Sequence, residues 1–146
     1  MLFVGKDRYL QLVAMARGRL KDNLLPEEAE ESDMKRTYAR ALECMEKSKL
    51  YLDPDLSLED MARALGTNKV YLSRTVNVVS GRNFCQFVNY YRVQYAKDIM
   101  RKDPHSRMMD VAIASGFHSI VTFNMAFRAN MNDTPGAFSR CCPRDS

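Results

Sequence analysis

The sequence is poor in the residues that mark turns, and it lacks a long apolar run. Its 146 residues include six glycines and five prolines, too few for the frequent turns of an all-β sandwich or barrel. The longest uncharged stretch near its start, residues 9–16, is far shorter than the roughly 20 apolar residues of a membrane-spanning helix. Charged residues 6–8 follow soon after the apolar first four, so we expect no secretory h-region there. We therefore expect a cytoplasmic protein without membrane contact.

Residues that hold metals or perform catalysis are also scarce. The four cysteines form no C-x-x-C pair and there are only two histidines, whereas a zinc site needs several such ligands at suitable spacing. Reduced thiols in a reducing compartment are the better interpretation of the cysteines. There is no glycine-rich phosphate loop, and His105 and His118 lie in unrelated contexts, so the sequence gives no signal for a nucleophile with a base and an orienting group. We expect no metal, no cofactor and no enzymatic activity.

Charge is distributed unevenly along the chain. Residues 1–60 carry 10 Lys/Arg and 13 Asp/Glu, whereas residues 61–146 carry 12 and 5. Five of the carboxylates fall within residues 26–33 (PEEAEESD), which we interpret as an acidic linker. A basic C-terminal part favours a polyanionic partner, although a solvated helical surface would produce the same charge count.

Apolar residues recur at helical spacing through most of the chain. The pattern predicts an N-terminal helix over residues 7–24, a second helix over 34–52 and a long helix over 84–101 that ends before Asp103-Pro104. No segment alternates between apolar and polar residues for long enough to predict a strand. The predicted fold class is therefore all-α.

One pattern occurs twice, about 50 residues apart. In the first copy Ser57 and Asp60 form a capping box for a short helix that Gly66 ends. The matching positions are Met61, Ala62 and Gly66 with Val111, Ala112 and Gly116, 50 residues later, and Leu72 and Val76 with Phe123 and Phe127, 51 later. The second turn thus holds one extra residue. A short helix, a glycine-containing turn and a second helix make a helix-turn-helix unit, whose second helix enters the major groove of DNA.

These segments resemble the AraC/XylS-type transcription regulators. The matching stretches are LSLEDMARALGTNKVYLSRTVN (56–77), NFCQFVNYYRVQYAKDIM (83–100) and DVAIASGFHSIVTFNMAFRANMNDTPGAF (110–138). The most specific signals are Gly116-Phe117, the Phe123 and Phe127 pair, and Thr134-Pro135 followed by Phe138. The resemblance covers about residues 36–140. It implies two helix-turn-helix subdomains, joined by a long helix, that read successive major-groove segments on one face of double-stranded DNA and activate transcription through contact with RNA polymerase.

The resemblance also suggests a division of the chain. We assign residues 1–33 to an N-terminal helix and acidic linker, 34–140 to the DNA-binding domain and 141–146 to a tail. Within the domain the first unit spans 34–81, the connecting helix 82–102 and the second unit 103–140. The N-terminal helix is either a stub that follows an upstream sensor or a surface for self-association with a second copy, and both interpretations stay open.

Helical geometry then predicts which side chains meet DNA. If Leu72 and Val76 point into the core, the opposite side of that helix is the first reading face: Val70, Ser73, Arg74 and Asn77. The same offsets from Phe123 predict the second reading face: Val121, Asn124, Met125 and Arg128.

Each of these residue types suits a particular part of DNA. Arg74 suits a bidentate contact with guanine, and Asn77 or Asn124 suits adenine. Val70 and Val121 can meet thymine methyl groups. Groups suited to phosphates are Lys69, Ser119 and Thr122, with Arg92, Lys97 and His118 as further candidates.

The second reading face departs from the family pattern. The position of Met125 often holds a basic residue in the AraC/XylS family, and with Val121 it makes this face unusually apolar. Base discrimination there is expected to be weak, or to depend on methyl contacts and DNA shape. The same feature supports an alternative function, a protein-interaction module that kept the fold and lost specific DNA binding.

Overall fold

The computed structural model describes residues 26–142, and the regular structure in that range is entirely helical. The all-α prediction is therefore confirmed for these residues. The seven α-helices are α1 (Pro26–Glu43), α2 (Leu58–Leu65), α3 (Lys69–Ser80), α4 (Phe84–Lys102), α5 (Met108–Ala114), α6 (Ile120–Met131) and α7 (Pro135–Cys141). The helix predicted over residues 7–24 and the last four residues of the predicted tail lie outside the described residues.

These helices form two compact units. The first unit contains the described residues up to Ser48 together with Ser57–Phe84, and the second contains Lys49–Leu56 together with the residues from Cys85 onward. The second unit is thus built from two separate stretches of chain. The sequence-based division at residues 81 and 103 follows the repeated pattern rather than this packing, and it stays a prediction.

The acidic segment 26–33 is helical, so its interpretation as a linker was wrong. It forms the first turns of α1. Pro26 fits there because the first turn of a helix needs no backbone N–H from it, and Glu27 and Glu28 face the positive end of the helix dipole. Two ion pairs within the helix add support: Lys35 with Glu31 and Arg36 with Asp33. Counting carboxylates without placing them at a helix N-terminus led to the wrong interpretation.

The helix predicted over residues 34–52 is not continuous. The α-helix ends at Glu43, and a π-helical turn, Cys44–Ser48, follows it. Lys49 then adopts a left-handed conformation with φ of 50° before the short 3₁₀ turn Leu50–Leu52. A left-handed residue cannot continue a right-handed helix, so the chain changes direction at Lys49.

Helix α2 begins and ends where the sequence predicted. Ser57 and Asp60 form the reciprocal capping box, and hydrogen bonding to Ser57 holds the pKa of the Asp60 carboxyl below its ordinary value. Gly66 ends α2 at a φ of 70°. The side chain of Asn68 then caps α3, and Gly81 ends it. The first helix-turn-helix is therefore fixed largely by local interactions.

In the core of the first unit, one side of α3 packs against α1 and α2. Leu72 and Val76 are wholly buried, as predicted, while Val79 is only partly buried. From α1 the buried residues include Met34 and Tyr38, which lie one turn apart on the same side of the helix.

The core of the second unit is built on a row of aromatic rings. Phe117, Phe123, Phe127 and Phe138 are in contact in that order, with ring centroids 5.3, 5.8 and 5.6 Å apart. Phe123 and Phe127 on α6 are wholly buried, which confirms their predicted inward orientation. Such tilted and edge-on contacts are favoured arrangements of aromatic pairs, so this row fixes the position of α6 in its unit.

The Lys49–Leu56 segment is held in the second unit by Arg92. Its Nε donates a hydrogen bond to the carbonyl oxygen of Tyr51 at 2.7 Å, and its Nη2 donates to the carbonyl oxygen of Asp53 at 2.9 Å. Burial of the Arg92 guanidinium lowers its pKa from the ordinary value. Gly116 lies against the same carbonyl: a Cβ atom added to it would be 2.3 Å from the Tyr51 oxygen. This position therefore requires a glycine.

Candidate nucleic-acid interface

The first reading face lies on the exposed side of α3. Val70 is 72% exposed, Arg74 and Asn77 are exposed, and Ser73 is partly exposed. They lie opposite Leu72 and Val76, which are buried, so the four side chains share one side of a helix that is anchored by its other side. The structure thus brings together the first predicted set as a group, with Lys69 exposed at the start of the same helix.

Two cations of α3 are paired with carboxylates in the same unit. Nη1 of Arg74 lies 2.7 Å from Oε1 of Glu30 on α1, and Nζ of Lys69 lies 3.3 Å from Oε1 of Glu59 on α2. All four side chains are about half exposed or more. Exposed ion pairs of this kind are weak, so Arg74 and Lys69 can exchange their carboxylate partners for the phosphates of an incoming polyanion.

Asn77 has a local partner. Its Nδ2 donates a hydrogen bond to the backbone carbonyl of Ser73 at 3.0 Å, one turn earlier on α3. In this orientation the Asn77 side-chain amide lies along the surface of α3, toward its N-terminus. A bidentate contact with adenine requires the Asn77 side chain to rotate out of this hydrogen bond.

The second reading face lies on the exposed side of α6, in its own unit. Val121 is 63% exposed and Met125 is 68% exposed, and Asn124 and Arg128 are exposed as well. Val121 and Met125 lie one turn apart on this side, and contiguous exposed apolar surface often marks a binding face. The predicted grouping of these residues opposite Phe123 and Phe127 matches the structure.

Ser119 and Thr122 form the N-terminal cap of α6. Ser119 Oγ accepts a hydrogen bond from the backbone N–H of Thr122 at 3.2 Å, and Thr122 Oγ1 donates to the Ser119 carbonyl at 3.0 Å. Both hydroxyls are thus engaged in the helix start. Three residues, Phe117, His118 and Ser119, follow Gly116 before α6, whereas only Thr67 and Asn68 separate Gly66 from α3. This confirms the extra residue in the second turn.

Three weaker candidates have different environments. Arg92 serves the fold of the second unit, as described above. Lys97 has its Nζ 5.8 Å from the centre of the Phe138 ring, and partial burial lowers its pKa. His118 is exposed, and its Nε2 lies 2.8 Å from Oδ1 of Asp55. Of the three, His118 is the one whose side chain is exposed beside a reading helix.

Sequence reasoning missed the carboxylates that face Arg74 and His118. Glu30 and Asp55 contact Arg74 and His118 across long stretches of chain, and no local spacing links such partners. One available signal was the register of α1, because Glu30 lies four residues before the apolar Met34 and so shares its side of a helix.

Other kinds of site find no support in residues 26–142. Within that range no group of three or more His, Cys, Asp or Glu is placed to hold a metal ion. In the same residues, no helix combines the length and apolar character that crossing a bilayer requires.

Comparison with known proteins places this architecture among helix-turn-helix regulators. Residues 61–140 match a protein family described as a helix-turn-helix domain. The HTH-type transcriptional regulator GlxA of Rhizobium meliloti (strain 1021) is 28% identical over 99 residues, which are 68% of this chain and 30% of that protein. This chain therefore spans less than a third of that curated relative.

Two solved structures share the fold. A transcriptional regulator with an AraC-type DNA-binding domain from Chromobacterium violaceum aligns with 75% of this chain and 94% of its own, with a TM-score of 0.63 and 20% identity. The DNA-binding domain of AdpA, solved in complex with a target DNA, aligns with 73% of this chain and 89% of its own, with a TM-score of 0.58 and 20% identity. At this level of identity the likeness concerns the fold.

Proposed function

The chain belongs to the AraC-type helix-turn-helix family, and on this premise we propose that it is a sequence-specific DNA-binding regulator of transcription without enzymatic activity. One observation carries the proposal. In each unit, the second helix of the helix-turn-helix, α3 or α6, has one exposed side and one side anchored by a wholly buried residue, Leu72 or Phe123. The four residues of each exposed side stand at the same offsets from the N-cap of their helix. A rigid helix with one free side is what docking in a major groove requires.

The two reading faces have different proposed roles. Arg74 contacts guanine, Asn77 and Asn124 contact adenine, and Val70 and Val121 meet thymine methyl groups. Met125 adds apolar contact, and Arg128 neutralises phosphate. Phosphate contacts near the helix starts come from Lys69, Ser119 and Thr122. Sequence information is therefore concentrated under α3, while α6 reads mainly shape and methyl groups.

The sign of regulation follows from the family resemblance. We propose that the chain activates transcription by contacting RNA polymerase while both of its helix-turn-helix units occupy successive major-groove segments. AdpA, which shares the fold, was solved in complex with a target DNA, and this supports DNA as the partner. In vitro transcription from a promoter that carries the selected site, with and without the protein, tests the activating role.

The test of DNA binding is selection of bound duplexes from random DNA, followed by titration of the recovered duplex at several salt concentrations. A specific regulator recovers one motif and binds it with an affinity that falls steeply as salt rises, because counterions are released from the phosphates. A protein-interaction module that has lost DNA binding recovers no motif, and that outcome would replace the proposal with the alternative function.

Arg74→Ala is expected to weaken binding to the selected duplex by about 1–3 kcal/mol and to relax preference at one base pair, because a bidentate contact with guanine is lost. Arg128→Ala removes an equal charge from α6 and is the matched control. It is expected to weaken all duplexes about equally and to lower the salt slope by roughly one. Parallel selections with both variants measure this. A motif left untouched by Arg74→Ala would contradict its assignment.

Met125→Arg is expected to tighten DNA binding, with a new preference for guanine under α6. Met125 is exposed at the position on α6 that Arg74 occupies on α3, so an arginine there can reach the same groove edge. Selection with this variant beside the wild type measures the change. Met125→Gln, which adds polarity without charge, separates readout from charge. A sharper wild-type motif under α6 than under α3 would contradict the proposed division of roles.

A further inference from the structure

The contact between Glu30 and Arg74 joins the acidic start of α1 to the residue proposed to read guanine. Their Oε1 and Nη1 atoms are 2.7 Å apart, and the side chains stay 47% and 61% exposed. Both residues lie in the first unit. The pair therefore forms on the DNA-facing side of the unit that we propose to carry most of the sequence information.

Packing explains why Glu30, rather than another carboxylate of α1, reaches Arg74. Glu30 lies four residues before Met34 and eight before Tyr38, and both of these are buried against the rest of the unit. Glu30 thus extends the inward side of α1 by one turn. Its neighbours Glu31 and Asp33 pair with Lys35 and Arg36 on α1 itself. The packed core, and not the general acidity of the segment, directs Glu30 toward α3.

A carboxylate in this position affects phosphate and guanine differently. It engages Nη1, and the guanidinium group has five N–H donors in a fixed plane, so the donors on its other edge stay available for the two acceptors of guanine. A phosphate is recognised mainly through its charge. The negative charge of Glu30 repels the phosphate and competes for the same cation, whereas the uncharged guanine edge is affected less.

We propose that Glu30 is a specificity-determining residue: it suppresses sequence-independent contacts of Arg74 with phosphate more strongly than its contact with guanine. This inference rests on the proposed function. It predicts that loss of the Glu30 charge raises affinity for any DNA while reducing the preference for the correct site.

The experiment compares Glu30→Gln with the wild type on two duplexes, the one recovered by selection and a scrambled one of equal composition. Glu30→Gln is expected to bind the scrambled duplex about 3–5-fold more tightly, which is the upper part of the range for one exposed ion pair, and the selected duplex less than about 2-fold more tightly. The ratio of the two affinities therefore falls. Glutamine keeps a good helix former at an exposed position, so α1 stays folded.

Two controls separate the role of Glu30 from the effect of net charge. Glu31→Gln removes the same charge from the same turn of α1, at a carboxylate that pairs with Lys35 instead, and it should leave the affinity ratio unchanged. In an Arg74→Ala background, Glu30→Gln should lose its effect on the ratio. Equal changes on both duplexes, or a ratio change that persists without Arg74, would overturn the proposal. A wild type that fails to discriminate the two duplexes would overturn the proposed function together with it.

Discussion

Phe123→Ala is expected to lower the free energy of unfolding of the second unit by about 3–5 kcal/mol, the range for removal of a buried phenylalanine ring. The Phe123 side chain is wholly buried and contacts the rings of Phe117 and Phe127 on either side. Its loss leaves a cavity in the middle of the aromatic row that positions α6. Urea denaturation followed by circular dichroism measures the change, and hydrogen exchange identifies the unit that opens.

The matched control is Asn124→Ala, the next residue on α6, whose side chain is exposed. Surface changes of this kind usually alter stability by no more than about 0.5 kcal/mol. Leu72→Ala is the counterpart in the first unit, where about 2–5 kcal/mol is expected. If Phe123→Ala unfolded at the wild-type urea concentration, the inward and outward sides of α6 would be wrongly assigned.

Gly116→Ala is expected to destabilise the second unit by about 3–5 kcal/mol, because backbone strain and overpacking act together. The φ of Gly116 is 94°, which an L-amino acid rarely adopts. The new Cβ would also lie 2.3 Å from the Tyr51 carbonyl oxygen. Relief of that clash requires backbone to move, and the same oxygen accepts the hydrogen bond from Arg92 Nε.

Gly66→Ala isolates the contribution of the clash. Gly66 has a φ of 70° at the matching turn of the first unit, but a Cβ added there meets nothing within 4 Å. It therefore carries only the left-handed strain, about 1–2 kcal/mol. Urea denaturation of both variants gives the difference. Equal losses of stability would show that the approach of Gly116 to Tyr51 is not what requires glycine there.

Local signals in the sequence were sufficient for the helix-turn-helix units. The Ser57 and Asp60 capping box and Gly66 fix the two ends of α2 through bonds between residues close in sequence. The repeated spacing also identified the inward residues Leu72 and Phe123, because burial on one side of a helix imposes a periodic pattern. The same reasoning grouped each reading face correctly on one side of its helix.

Features that depend on distant residues could not be predicted in this way. Arg92 contacts a carbonyl 41 residues earlier in the chain, and a backbone acceptor has no sequence signal at all. The pairing of Glu30 with Arg74 required α1 to begin at Pro26 rather than after the acidic segment. The boundary was missed because a run of carboxylates was read as a linker. At a helix N-terminus the same carboxylates are stabilised by the positive end of the helix dipole.

The discontinuous second unit has a consequence for the order in which the chain folds during synthesis. All described residues of the first unit have been synthesised once residue 84 is added, whereas the Lys49–Leu56 segment leaves the ribosome long before Arg92 and Gly116. Closing a long loop costs entropy before its contacts form, and contacts distant in sequence slow folding. The first unit can therefore fold while Lys49–Leu56, the segment that joins its two stretches of chain, is still unpacked. The second unit is completed only when α4, α5, α6 and α7 have all been synthesised.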